Sequence, residues 1–237
     1  VTACAVGGVL YGRRSGRFNG VRCAALKAGS GIEDSDVLSM FPTLVWKAKL
    51  KEELYRQINR TILERLDQLR ASQPPLRPGS GWQSGQDLHT MEGFDELVQA
   101  VNTMAGRILE FLKIGYERFE ITACWANVLA PGASHKIHAH PNNYLSGIYY
   151  VSTFDGANTV NFHDPRPQTG VVRPPVTELT GGNTDQVVVQ VEDGTMLFFP
   201  AWLEHSVDAN QSKQERISVS FNVMFSSFTE TMSKPLW

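Results

Sequence analysis

The apolar period of this chain changes at Phe119, and that change limits the folds open to it. Upstream, Leu54, Ile58, Ile62, Leu66 and Leu69 recur three or four apart within 51–71. Phe94, Leu97, Val98, Val101, Met104, Ala105, Ile108, Leu109 and Leu112 do the same. Such spacing lays the side chains on one stripe, so two amphipathic helices are expected. From Phe119 the period is two. Phe119, Ile121, Ala123 and Trp125 fall on one side of an extended chain, with Glu120, Thr122, Cys124 and Ala126 on the other. Short strand-like runs continue to about Phe225, broken by APGAS, HPNN, DPRP, TGGNTD, EDG and DANQSKQE. Phe41, Leu44 and Trp46 read as a first strand, and GWQS at 81–84 as a loop. Helices first and many short strands afterwards predict an α+β, mainly β fold: a double-sheet jelly roll with helices packed outside it.

The order of these patterns gives one domain over 40–237, with a helical layer at 50–113 and a β-roll core at 117–225. Residues 1–39 read as a basic leader. The first 32 residues hold Arg13, Arg14, Arg17, Arg22 and Lys27 and no acid, as transit-peptide remnants do. A disordered tail is the plainer alternative. The formal net charge of −2 gives no reason to expect a nucleic-acid partner. No apolar run approaches the ~18 residues of a membrane helix. Three cysteines without a CxxC pair argue against a disulfide framework. An intracellular, reducing compartment is expected, either cytoplasmic or organellar (plastid or mitochondrion). Cys124, in a strand-like run, reads as a small core residue.

The chemistry concentrates in HKIHAHPNNYLSGIYY, residues 135–150. In a strand His138 and His140 share a face, with Cα atoms roughly 6.5 Å apart, close enough for two imidazoles to meet at one ion. His135 has the opposite parity and points away if the strand is regular. A third imidazole, His205, comes from FFPAWLEHSV. RISVSFN, beginning at Arg216, then supplies a guanidinium and Ser218. A planar guanidinium donates two parallel bonds to a carboxylate. Tyr150 shares parity with Ile148 and Ser146, so one face can send a hydroxyl towards a pocket. Beside the reading as metal ligands stands the plain one, in which these histidines line the roll without a metal.

GWQSGQDL, HAHPNNYLSGIYYV, HDPRP, FPAWLEHSV and RISVSFN occur in this order. Over roughly 40–225 the chain resembles the 2-oxoglutarate/Fe(II)-dependent oxygenases. More narrowly it is similar to a subfamily marked by HxHP, SGxYY, FPxWLxH and RISxSFN. The resemblance implies the double-stranded β-helix, or cupin-like, fold and the use of Fe(II), 2-oxoglutarate and molecular oxygen. It implies His138 and His205 as metal ligands and Arg216 with Ser218 as the grip on the distal carboxylate of 2-oxoglutarate. Tyr150 and Asn127 are further contacts to that co-substrate. At His140 the wider superfamily has a carboxylate. Either His140 is the third ligand, or the third position is open, or Asp164 or another carboxylate arrives from a neighbouring strand. Trp82 and Gln83 either line a pocket mouth or pin their loop. His163 and Asp164 are candidate substrate contacts, and His135 a candidate outer partner of the metal site. Glu204 is expected to face away from the metal, and Trp202 either to wall the pocket or, as the plainer reading, to pack in the core.

The resemblance implies oxidation, by default hydroxylation, of a C–H bond in a small molecule or a protein side chain. A three-histidine iron dioxygenase without 2-oxoglutarate and a non-catalytic cupin-like binding module are the rivals. Barrel edges in such folds often pair, which leaves a homo-oligomer open.

Overall fold

The computed structural model describes residues 22–25, 36–38 and 40–230. The rest of the basic leader and 231–237 lie outside the described residues. Two compact units divide after Leu44. In the first, β1 (Arg22–Ala25) pairs antiparallel with β2 (Asp36–Leu38). The second unit, from Val45, carries everything that follows.

Its strands form two antiparallel sheets. The larger holds β3 (Trp46–Lys49), β4 (Gly81–Gln83), β5 (Phe119–Leu129), β7 (Leu145–Ser152), β10 (Thr195–Pro200) and β12 (Arg216–Phe225), in the order β3-β10-β7-β12-β5-β4. The smaller holds β6 (His135–His138), β8 (Thr159–His163), β9 (Gln186–Gln190) and β11 (His205–Val207), in the order β6-β11-β8-β9. This is the jelly roll expected from the period of two. GWQ, read as a loop, is instead an edge strand, with Gln83 opposite Asn127. The strand expected from Phe41 begins only at Trp46, as β3.

Helices α1 (Glu52–Arg70) and α2 (Asp95–Phe111) bury Ile58, Ile62, Leu66, Leu97, Val101, Ala105, Ile108 and Leu109. These pack on one face of the larger sheet against Cys124, Ala126, Tyr149, Val151, Phe198, Val219 and Phe221. Each fully buried aliphatic side chain contributes about 1.5–3 kcal/mol. Leu54 and Leu69 belong to the same stripe but remain exposed at its ends. One buried polar link joins the layers. Asn59 donates to the carbonyl of Val151 at 2.8 Å and accepts from the Tyr149 hydroxyl at 2.6 Å. A second core fills the space between the sheets, with Leu129, Ile148, Tyr150, Phe162, Leu197, Phe199 and Leu203. Alternation along β7 thus sends Tyr149 to the helices and Tyr150 to the interior of the roll.

Two irregularities modify the predicted faces. Asn222 lies opposite Ala123, but Val223 lies opposite Ile121, so β5 carries one extra residue at Thr122. Such a bulge flips the side-chain alternation. Phe119 and Ile121 consequently pack with the helical core, whereas Ala123 and Trp125 line the inner cavity. The expectation that all four share one face fails at the bulge. The second irregularity is in β6. His138 lies opposite His205 and His135 opposite Val207, three residues against two.

Candidate active site

A cavity of about 790 Å³ opens between the sheets. Its inner wall comes from alternate residues of β12: Arg216, Ser218, Ser220 and Asn222 face it, while Val219 and Phe221 belong to the helical core. The neighbouring strands continue the rows. Ser218 lies between Asn127 and Tyr150, and Ser220 between Trp125 and Ile148. Asn127 donates from Nδ2 to the Ser220 hydroxyl at 3.0 Å.

Three histidines enter from the opposite side. His138 ends β6 and His205 begins β11, directly across the ladder from it. His140 lies beyond the strand end, where its N–H donates to the Ala201 carbonyl at 2.8 Å. The i, i+2 pair therefore converges, although only its first member is in a strand. Ring centres are 4.3 Å apart for His138 and His205, 5.1 Å for His140 and His205, and 5.2 Å for His138 and His140. One nitrogen from each lies within 4.8 Å of the others.

Backbone contacts orient the rings. His138 Nδ1 lies 2.8 Å from the Lys136 carbonyl, and His205 Nδ1 lies 3.1 Å from the Leu203 carbonyl. An Nδ1–H donated to a carbonyl leaves Nε2 as the lone pair facing the cavity, as metal-binding imidazoles require. Trp125 stacks on His140 at 5.5 Å, and Phe199 packs on His205 at 4.7 Å. Burial, then the neighbouring His138, holds His140 down to about 4 and His205 down to about 3. Both are neutral near pH 7 and ready to ligate.

At the other end Arg216 is 2% exposed, and no carboxylate of the described residues lies within ion-pair reach. Its guanidinium carbon is 5.2 Å from the Tyr150 ring centre. Burial lowers its pKa and pushes the Tyr150 hydroxyl up to about 12. His140 Nε2, the Tyr150 hydroxyl and Arg216 Nε are all buried without a hydrogen-bond partner among the described residues. Buried polar atoms are rarely left unpaired, and a buried cation still less so. His140 and Arg216 line the cavity, where their partnerless atoms fit a ligated ion beside a carboxylate-bearing molecule; Tyr150 does not line it but is buried behind Arg216.

The remaining predicted residues divide. Gln83 and His135 line the cavity. His135 was expected to point away. The extra residue in β6 turns it inward, 6.2 Å from His138 ring to ring, and burial, His138 and Arg216 hold it down to about 4. Trp82 does not line the cavity; it packs against the helical core, with Arg70 5.7 Å from its ring. His163 Nε2 lies 2.9 Å from the Ser206 hydroxyl, away from the cavity. Asp164 does not complete the metal group, because its carboxylate takes the Arg166 guanidinium at 2.7 and 2.9 Å. Glu204 is exposed, as alternation predicts. Trp202 is 54% exposed and so is not a core residue. Sequence reading passed over Trp125, Ser220, Asn222, Lys136 and Gln86. The alternation RISVSFN carried a signal for two of them: its polar positions all face inward.

Residues 123–222 match the family model described as "Putative 2OG-Fe(II) oxygenase". Among solved structures, the epimerase SnoN in complex with Fe3+, alpha ketoglutarate and nogalamycin RO is 14% identical. Its TM-score is 0.56, over 82% of this chain and 89% of that one. A Pseudomonas putida prolyl-4-hydroxylase is 15% identical with TM-score 0.53, over 77% and 93%. A prolyl hydroxylase in complex with a hypoxia inducible factor oxygen degradation domain peptide fragment from Trichoplax adhaerens is 12% identical with TM-score 0.52, over 80% and 87%. At such identities the structural likeness carries the fold alone. No curated protein matches by sequence. Fold, histidine group and domain match together define a non-haem metal oxygenase. The matched segment, which holds the three histidines and Arg216, is similar to the 2-oxoglutarate/Fe(II)-dependent oxygenases, a family that uses Fe(II) and 2-oxoglutarate.

Proposed function

We propose that this enzyme hydroxylates a C–H bond of a small molecule or a protein side chain. His138, His140 and His205 hold Fe(II). Arg216, Ser218 and Tyr150 hold the distal carboxylate of 2-oxoglutarate, with Asn127 beside them. The observation that carries this reading is the buried guanidinium of Arg216, without a carboxylate partner among the described residues, in the same cavity as three converging imidazoles. When bound, Fe(II) and 2-oxoglutarate supply the oxidising chemistry, in which O2 is consumed and 2-oxoglutarate becomes succinate and CO2. The chain's own task is placement. Carbonyls at 136 and 203 fix two imidazole tautomers, Trp125 fixes the third ring, and the guanidinium offers a bidentate fork. Three neutral ligands leave the ion one unit more positive than two histidines and a carboxylate would, which a dianionic co-substrate offsets.

Anaerobic addition of Fe(II) and 2-oxoglutarate is expected to produce a weak visible charge-transfer band. Arg216→Ala should abolish the band and succinate formation while leaving Fe(II) affinity within a few-fold. A three-histidine dioxygenase that needs no 2-oxoglutarate would keep its activity in that variant. Absence of both band and succinate in the native protein overturns the proposal.

A further inference from the structure

Among the described residues the cavity carries three charged side chains: Arg216, Lys136 and Glu120. Arg216 is buried at the inner end, where the reading above places 2-oxoglutarate. Glu120 accepts a hydrogen bond from the Thr229 hydroxyl. Lys136 has neither an ion pair nor a side-chain hydrogen bond among the described residues, and it is exposed. Its position follows from the backbone. The irregular pairing of β6 with β11 places one extra residue between His135 and His138. A bulge of this kind re-aims side chains, and here Lys136 lines the cavity while Ile137 turns out to solvent. A regular strand would alternate these side chains between faces and would not send His135, Lys136 and His138 all towards one cavity.

Charge bookkeeping then constrains the occupant. Imidazoles ligate in their neutral form. Fe(II), Arg216 and Lys136 contribute four positive charges; Glu120 and dianionic 2-oxoglutarate contribute three negative ones. The loaded cavity retains one positive charge, and its one charged side chain without a partner among the described residues is a lysine at the mouth. A side-chain ammonium in such a place is a point charge suited to carboxylate or phosphate. Resting on the oxygenase reading, we infer that the substrate carries an anionic group, a carboxylate or a phosphate, which Lys136 receives at the cavity mouth while the bond to be oxidised lies towards the three histidines.

The test uses the Fe(II)-loaded full chain, saturated with 2-oxoglutarate under anaerobic conditions at fixed ionic strength. Hexanoate, inorganic phosphate and hexyl phosphate are titrated, with hexanamide and hexanol as neutral controls. Binding is followed by calorimetry and by the shift of the visible band. Native protein is expected to bind at least one anionic probe about tenfold more tightly than its neutral counterpart. Lys136→Met should reduce that ratio to near one and Lys136→Arg should retain it, both with 2-oxoglutarate affinity within twofold of native. Preference for carboxylate over phosphate, or the reverse, identifies the source of the anion. Equal binding of acids and neutral controls, an undiminished ratio in Lys136→Met, or no anionic probe bound while the visible band is present, each overturns the inference. Failure of the native protein both to develop the band and to form succinate would instead overturn the oxygenase reading.

Discussion

Replacing Arg216 by methionine should move stability and ligand affinity in opposite directions. In the metal-free protein the guanidinium is 2% exposed, lacks a carboxylate among the described residues and leaves Nε unpaired. An unsatisfied buried group costs about 1–3 kcal/mol. The Tyr150 ring returns about 0.5–2 kcal/mol through its cation–π contact. Methionine has similar length, no charge and no donors, so the apoprotein should gain roughly 1 kcal/mol. The opposite holds for 2-oxoglutarate. Two charge-assisted hydrogen bonds at about 1.5–3 kcal/mol each are lost, which corresponds to at least a hundredfold rise in Kd. Urea denaturation in the presence of a chelator measures the first quantity. Calorimetric titration of 2-oxoglutarate into the Ni(II)-loaded protein measures the second. An apoprotein destabilised by 2 kcal/mol or more, together with unchanged 2-oxoglutarate affinity, would show that Arg216 is a structural residue and refute the reasoning.

Three further outcomes follow from the same contacts. His135 and His140 are held near 4 and His205 near 3, below the ~6.5 of an unfolded chain, so the unfolded state binds more protons as pH falls. Their contribution is present above pH 6.5 and lost below it, up to about 1.4 kcal/mol per pH unit for each group; the metal-free urea midpoint should fall clearly between pH 7 and 5, and a constant midpoint contradicts the burial argument. At Gly147 an added Cβ would meet the Phe221 ring and come 2.6 Å from the Leu197 carbonyl oxygen, so Gly147→Ala should cost about 1–3 kcal/mol by thermal melting. Asn59→Leu removes both bonds that tie α1 to β7 and strands the Tyr149 hydroxyl, costing about 2–4 kcal/mol in the same assay with Fe(II) affinity intact.

How much of this was legible in the sequence depends on whether an element was regular. Periods of 3.6 and 2 located both helices and the strands, because each buries a continuous face. His138, His205, Arg216 and Ser218 were readable from motif order, since strand alternation sends them inward. The departures coincide with places where alternation breaks. The extra residue at Thr122 separates Ile121 from Ala123, and the one in β6 brings His135 and Lys136 to the cavity. Nothing local in HKIH announces a bulge, because the cause is the register imposed by β11. Trp202 was assigned by residue type alone, and Gly81–Gln83 is a strand only because β5 extends far enough to pair with it.

The position of β12 has a bearing on how such a site changes over time. It lies between β7 and β5, bonded along both sides, so the guanidinium end should be the slowest part of the roll to exchange its amide hydrogens. β6 and β4 are terminal strands with one free side each, and they supply Lys136 and Gln83. Substitutions or insertions at those margins can reshape what enters while the shared reagent stays held in place.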